Sequence, residues 1–149
     1  MSLKRGVRGV ISALGLVALV ACGDKDTVTD DSGDSPVVNP DAPTISSFTV
    51  ICQEYSSGDT YFLWEIAGQA NDPQGAENLE LYADLEAYRG GGLIETFEGL
   101  VVISRDGQIV GSIREDTSGL SCSDPSEFLF KLYVSDAEGN VTVGEVQGA

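Results

Sequence analysis

The chain has 149 residues, with 24 acidic against 8 basic side chains for a formal net charge of −16, three Cys and no His. Nucleic-acid binding through phosphates is excluded, because it takes clustered Lys and Arg. The lack of His removes every Ser-His or Cys-His nucleophile pair and every His-ligated metal site, and the length allows one folded domain.

Residues 1–21 hold Lys4, Arg5 and Arg8 and no acid, and this basic start runs into the apolar stretch VISALGLVALVA, Val10–Ala21. A basic segment, an apolar segment and small residues before a cut form the layout of a secretory signal. The stretch is shorter than the roughly 20 residues a membrane-crossing helix needs, so residues 1–21 are expected to be a signal peptide. Leu19-Val20-Ala21-Cys22 then resembles the lipobox of bacterial lipoproteins. The resemblance implies cleavage after Ala21, a diacylglycerol on the Cys22 thiol and acylation of the new amino group, which together anchor stably where one chain does not. It also implies a cell-envelope location, with Gly23 in second position favouring the outer membrane. An ordinary signal followed by a fortuitous Cys is the alternative.

Residues 22–43 carry six Asp, three Pro and few apolar side chains. Such a segment buries too little surface to offset its chain entropy and is expected to be a disordered, self-repelling acidic linker. From Thr44 the pattern changes to alternation of period two. Phe48, Val50 and Cys52 mark a first strand, and Phe62, Trp64 and Ile66 a second. Leu79, Leu81, Ala83 and Leu85 form one face of a third. Leu100–Ser104 and Gln108–Ile113 flank Arg105-Asp106-Gly107 as a hairpin. Phe128, Phe130, Leu132 and Val134 line another strand, and Val141 and Val143 begin the last. About seven short strands without a convincing helix predict an all-β, antiparallel immunoglobulin-like sandwich over residues 44–149.

Two turns carry a family resemblance: Ala70-Asn71-Asp72-Pro73-Gln74-Gly75, and Tyr133 to Val141 with its Asp136-Ala137-Glu138-Gly139-Asn140 centre. Both are similar to corners of bacterial immunoglobulin-like and cadherin-like extracellular repeats. With Cys22 assigned to lipid, Cys52 and Cys122 remain as an even pair in an oxidising compartment and are expected to be bonded. Cys52, Trp64 and Cys122 are spaced much like the Cys-Trp-Cys signature of immunoglobulin domains. Two departures stand out: Leu120 occupies the place of the family's corner tyrosine, and Cys122 lies in the polar loop Ser121–Pro125. The bond is therefore not expected to be the family's bridge between sheets.

Candidates for chemistry are sparse. There is no G-x-S-x-G, no C-x-x-C and no Gly-rich loop leading into a helix, and Gly90-Gly91-Gly92 reads as a mobile connection. No cofactor is implied. Asp72, Glu77, Asp136, Glu138 and Asn140 at the turns offer the hard oxygen ligands calcium prefers, as in the sites between cadherin-like domains; solvated turn carboxylates are the other reading. Tyr61, Tyr82 and Tyr88 fall opposite the core set or beside the triple glycine, where tyrosine serves contacts to protein or carbohydrate or simply packs across strands. The expectation is a lipid-anchored envelope protein presenting a non-catalytic binding or structural module, with a partner of unknown identity. A calcium-dependent adhesive module and a carboxylate-dependent envelope hydrolase are the alternatives.

Overall fold

The structure, a computed structural model, describes residues 39–149. The expected signal peptide, Cys22 and residues 23–38 of the linker lie outside the described residues. Residues 39–43 already belong to the folded unit: Asn39 Nδ2 donates to Asn140 Oδ1 at 2.8 Å, Ala42 N–H closes a turn on the Asn39 carbonyl at 3.2 Å, and Thr142 Oγ1 donates to the Pro43 carbonyl.

Seven strands follow: β1 (Thr44–Ser57), β2 (Asp59–Asn71), β3 (Tyr82–Arg89), β4 (Gly92–Ile103), β5 (Gln108–Arg114), β6 (Phe128–Ser135) and β7 (Val141–Gln147). A single helical turn, Glu115–Ser118, and two short 3-10 turns complete the described chain. All pairings are antiparallel, and the strands form one sheet in the order β1-β2-β5-β4-β3-β6-β7. The all-β, seven-stranded expectation holds, but the two separate sheets of a sandwich are replaced by one sheet that is nearly a barrel. The stitch is β4. It lies along β3 for most of its length and then pairs with β5 at only two positions, Val102↔Val110 and Ile103↔Ile109. At the opposite seam the edges meet where the Cys52 N–H donates to the Ala149 carbonyl at 2.7 Å and the Ala149 N–H donates to the Val50 carbonyl at 3.1 Å.

Alternation along each strand places one apolar set inside. Trp64, Ile66, Leu85, Val101, Ile103, Ile109, Phe130, Leu132 and Val134 are essentially fully buried. Trp64 packs edge-on against Phe128, with ring centroids 5.6 Å apart, and tilted against Phe130 at 5.2 Å. Its indole N–H donates to the Leu120 carbonyl at 3.1 Å. Leu120 is itself buried, so the position where the resembled family has tyrosine is filled by an apolar side chain whose backbone takes up the hydrogen bond. Cys52 and Cys122 are bonded, with Cα atoms 5.9 Å apart. Cys52 is the cross-strand neighbour of Trp64 in β1, and Cys122 lies in the β5–β6 connection. The bond thus ties the edge strand to a loop beside the tryptophan. Cys52 and Trp64 stand on adjacent, paired strands, so their spacing mimics the immunoglobulin signature without its geometry.

Three local expectations change. Leu79 is buried but bridges to Asp136, and Leu81 is 50% exposed because the chain bends there. Glu80 N–H donates to the Ser135 carbonyl while the Leu81 carbonyl accepts from Ile103 N–H, so β3 begins only at Tyr82. Strand β4 begins eight residues before the expected Leu100, its first half concealed by irregular register near Ala87/Tyr88 and Ala83/Leu85. Finally, Gly90 and Gly91 have φ of 58° and 83° and close a two-residue turn between Arg89 and its partner Gly92. Such a turn needs left-handed backbone at both central positions, so the triple glycine is a tight hairpin instead of a loose connection. Gly107 also fits its expected turn: it has φ of 82°, and a Cβ there would lie 2.1 Å from the Ala70 carbonyl oxygen.

Candidate functional site

Of the turn residues singled out for calcium, Asp72, Asp136, Glu138 and Asn140 gather at one end of the domain, beside Asn39. Asp136 is buried; Asn140 donates to both of its oxygens, through backbone N–H and Nδ2, each at 2.8 Å. Burial pushes the Asp136 carboxyl up, but these hydrogen bonds outweigh it and hold the carboxyl below its ordinary range. Asn78 donates through Nδ2 to Glu138, and to Asp72 Oδ1 at 3.5 Å; Gln74 N–H reaches the same Asp72 oxygen at 2.8 Å. Asp72 Oδ2 is buried without a hydrogen-bond partner. Glu77 is exposed and faces a different hollow, shared with Ser104 and Arg105. Among the described residues no group of three or more His, Cys, Asp or Glu side chains is placed to hold a metal ion. The cluster is an amide–carboxylate network in which Asn39, Asn78 and Asn140 supply the donors.

The outer face of β3, β6 and β7 is a second network. Tyr88 and Tyr133 hydroxyls both donate to Glu86 Oε2 at 2.6 Å. The Tyr133 and Tyr88 hydrogen bonds hold the Glu86 carboxyl low, and the same bond to Glu86 drives the Tyr133 hydroxyl well above its ordinary value. Lys131 pairs with Glu145 at 2.6 Å and lies 5.3 Å from the Tyr88 ring centroid. Tyr88 is therefore committed to cross-strand packing, whereas Tyr82 is 62% exposed.

The outer face of β2, β5 and β4 is different. Register places Thr49, Ala67, Val110, Val102 and Tyr82 in one row across five strands, and every member is exposed, Val110 by 56% and Val102 by 47%. Beside this row runs an open groove of about 840 Å³, walled by Tyr55, Tyr61 and Leu63 on one side and Leu100 and Val102 on the other. Its charged member is Glu65, which accepts a hydrogen bond from the Tyr55 hydroxyl; that bond, ahead of burial, raises the Tyr55 value. Tyr61 stacks on Tyr55 with centroids 5.8 Å apart and planes at 15°, and the Arg114 guanidinium lies 4.9 Å over its ring. Because β1 and β5 flank β2 on opposite sides, both faces of the Tyr61 ring are occupied.

No protein-family model, curated protein or solved structure matches this chain. Of the residues expected from sequence, Tyr61 belongs to the groove, Tyr82 ends the apolar row and Tyr88 belongs to the opposite face. Glu65, Val102 and Val110 carried no motif. Their signal was the unbroken apolar run Leu100-Val101-Val102-Ile103 and the apolar Val110 between Ile109 and Gly111, which depart from alternation and so put apolar side chains on both faces.

Proposed function

We propose that this chain is a lipid-anchored cell-envelope protein, tethered through Cys22 and presenting a non-catalytic immunoglobulin-like module for recognition. The observation that carries the recognition reading is the exposed apolar row and groove on an otherwise strongly acidic domain. Contiguous exposed apolar surface on a soluble domain marks a contact site. The strand order supports the immunoglobulin-like reading: lettered A to G along the chain, the sheet runs A-B-E-D-C-F-G, which keeps the A-B-E and C-F-G neighbours of the constant-type domain, while β4 (D) lies mainly along β3 (C) and joins the two groups. The anchor rests on Leu19-Val20-Ala21-Cys22. The groove includes Tyr55 and Tyr61 next to the β1–β2 turn, at the other end of those strands from the contact of Asn39 with Asn140.

Labelling with a palmitate analogue tests the anchor. The wild-type chain expressed in a bacterium with lipoprotein processing should take up label and sediment with membranes, and Cys22→Ala should do neither. Label retained in Cys22→Ala, or none in the wild type, overturns the anchored reading.

A further inference from the structure

Resting on the recognition reading, we propose that the groove between β2, β5 and β4 holds an extended, cationic and apolar peptide segment of a partner protein, its apolar side chains over Ala67, Val110 and Val102 and a Lys or Arg paired with Glu65.

Charge selects the partner. Among the described residues Glu65 has the Tyr55 hydroxyl as its side-chain donor and no cation within ion-pair distance. Among the described residues the cations are already engaged or distant: Arg114 pairs with Asp116 and Arg89 with Glu127, each at 2.7 Å, and Lys131 with Glu145 on the opposite face. Arg105 sits in the β4–β5 turn at the far end. An anionic partner would be repelled by the net negative charge of the domain and would meet the unpaired Glu65 carboxylate, whereas a cationic one would be steered in by the whole domain and would neutralise Glu65 in a partly apolar setting.

Geometry selects a peptide. A sugar ring needs an aromatic face to stack on, and both faces of Tyr61 are taken by Tyr55 and Arg114. An extended chain needs backbone partners. Strands β4 and β5 part after their two-residue pairing, so Gly111–Arg114 pair with β2 alone and their other edge has no strand partner, with Gly111 and Ser112 lining the groove. An added strand makes its main-chain hydrogen bonds at such an edge and reads alternate side chains in pockets. A second copy of this chain is disfavoured as occupant. The other open edge, on β4, carries Glu95 and Glu98 and irregular register, features that oppose edge-to-edge pairing of like chains.

The test uses the full-length chain purified in non-ionic detergent and three labelled synthetic peptides of equal length: alternating Leu-Lys, alternating Ser-Lys and alternating Leu-Glu. Leu-Lys should bind at least tenfold tighter than Ser-Lys, and Leu-Glu should not bind. Val110→Lys should weaken Leu-Lys binding at least tenfold and Glu65→Gln at least threefold. Glu145→Gln, which removes the same charge from the opposite face, should leave it unchanged within twofold. Each variant is checked for an unaltered melting transition, and amide shifts of the wild type on peptide addition should centre on residues 61–67 and 110–114, which keeps the site testable if a variant misfolds. Equal binding of Leu-Lys and Ser-Lys, equal effects of the Glu65 and Glu145 changes, or no binding at all overturns the proposal. Peptide failure with intact palmitate labelling at Cys22 removes this partner and leaves the anchor standing; the converse result removes the anchor alone.

Discussion

The two outer faces of one sheet solve the same problem in opposite ways. On β3, β6 and β7 the polar groups answer one another: Glu86 takes two tyrosine hydroxyls, and Lys131 joins Glu145 while covering Tyr88. At the centre of β2, β5 and β4 the side chains that face water in one row are Ala67, Val110 and Val102, beside the carboxylate of Glu65. A face whose donors and acceptors are internally matched offers a partner little, because binding would have to break those contacts before replacing them. The apolar face gains by being covered, which is the property the proposed recognition role would use.

The most severe way to disturb the comparison is to remove what lies beneath the apolar face. Trp64→Ala empties the largest side chain of the core, which packs on Phe128 and Phe130, and strands the buried Leu120 carbonyl. It should cost about 3–5 kcal/mol, enough to unfold much of a domain this size, read as a fall in the urea midpoint. Next comes the Cys52–Cys122 bond, which closes a separation of 70 residues. Replacing both cysteines by serine should lower stability by about 4 kcal/mol in the chain-entropy model. An unchanged midpoint would show that the connection is held without the sulfur link, by bonds internal to it such as that of the Cys122 N–H to Glu115 Oε1 at 2.8 Å.

Smaller changes sharpen the contrast between the faces. Glu86→Gln deprives two tyrosine hydroxyls of their charged acceptor. It should lower the melting midpoint modestly and bring the Tyr133 titration, followed by ultraviolet absorbance, back toward the ordinary tyrosine range. Val110→Thr on the other face should move stability by no more than about 0.5 kcal/mol, as exposed substitutions usually do, while weakening Leu-Lys peptide binding. If the two substitutions had the same effect on folding, the faces would not differ in the way described.

Legibility in the sequence followed the same division. Buried strands announced themselves wherever one face is apolar and the other polar: Phe130, Leu132 and Val134 are buried and alternate with the less buried Lys131 and Tyr133. The same rule failed at Leu81, because alternation records which side a residue would face if the strand ran on, and hydrogen bonds to Ser135 and Ile103 bend the chain there. It also failed over Gly92–Gly99, where irregular pairing with β3 breaks the period that makes a strand visible. The acidic corner was legible as a gathering of Asp72, Asp136, Glu138 and Asn140, but the donors that complete it were not. Asn78 and Asn39 reach it from a 3-10 turn and from the entering chain, and neither belongs to a motif.

That corner yields the smallest predicted effect and the clearest sign. The Asp136 carboxyl is held below its unfolded value of about 3.9 by the hydrogen bonds from Asn140. Its stabilisation is therefore complete above that unfolded value and is lost as pH falls through the lower folded one, when protonation removes the acceptor. Asp136→Asn should destabilise the domain at pH 7 and flatten the acid limb of its stability profile below about pH 4. Calcium should then discriminate between a network already satisfied by amides and one waiting for a cation. With Asn140 on both oxygens of Asp136 and Asn78 on Glu138 and Asp72, a cation would have to displace these donors, so millimolar calcium should leave the wild-type melting midpoint where it is. A rise abolished by Asp72→Asn would mean that the unpartnered Asp72 Oδ2 is a ligand after all, since an ion that binds only the native state must raise the midpoint by mass action.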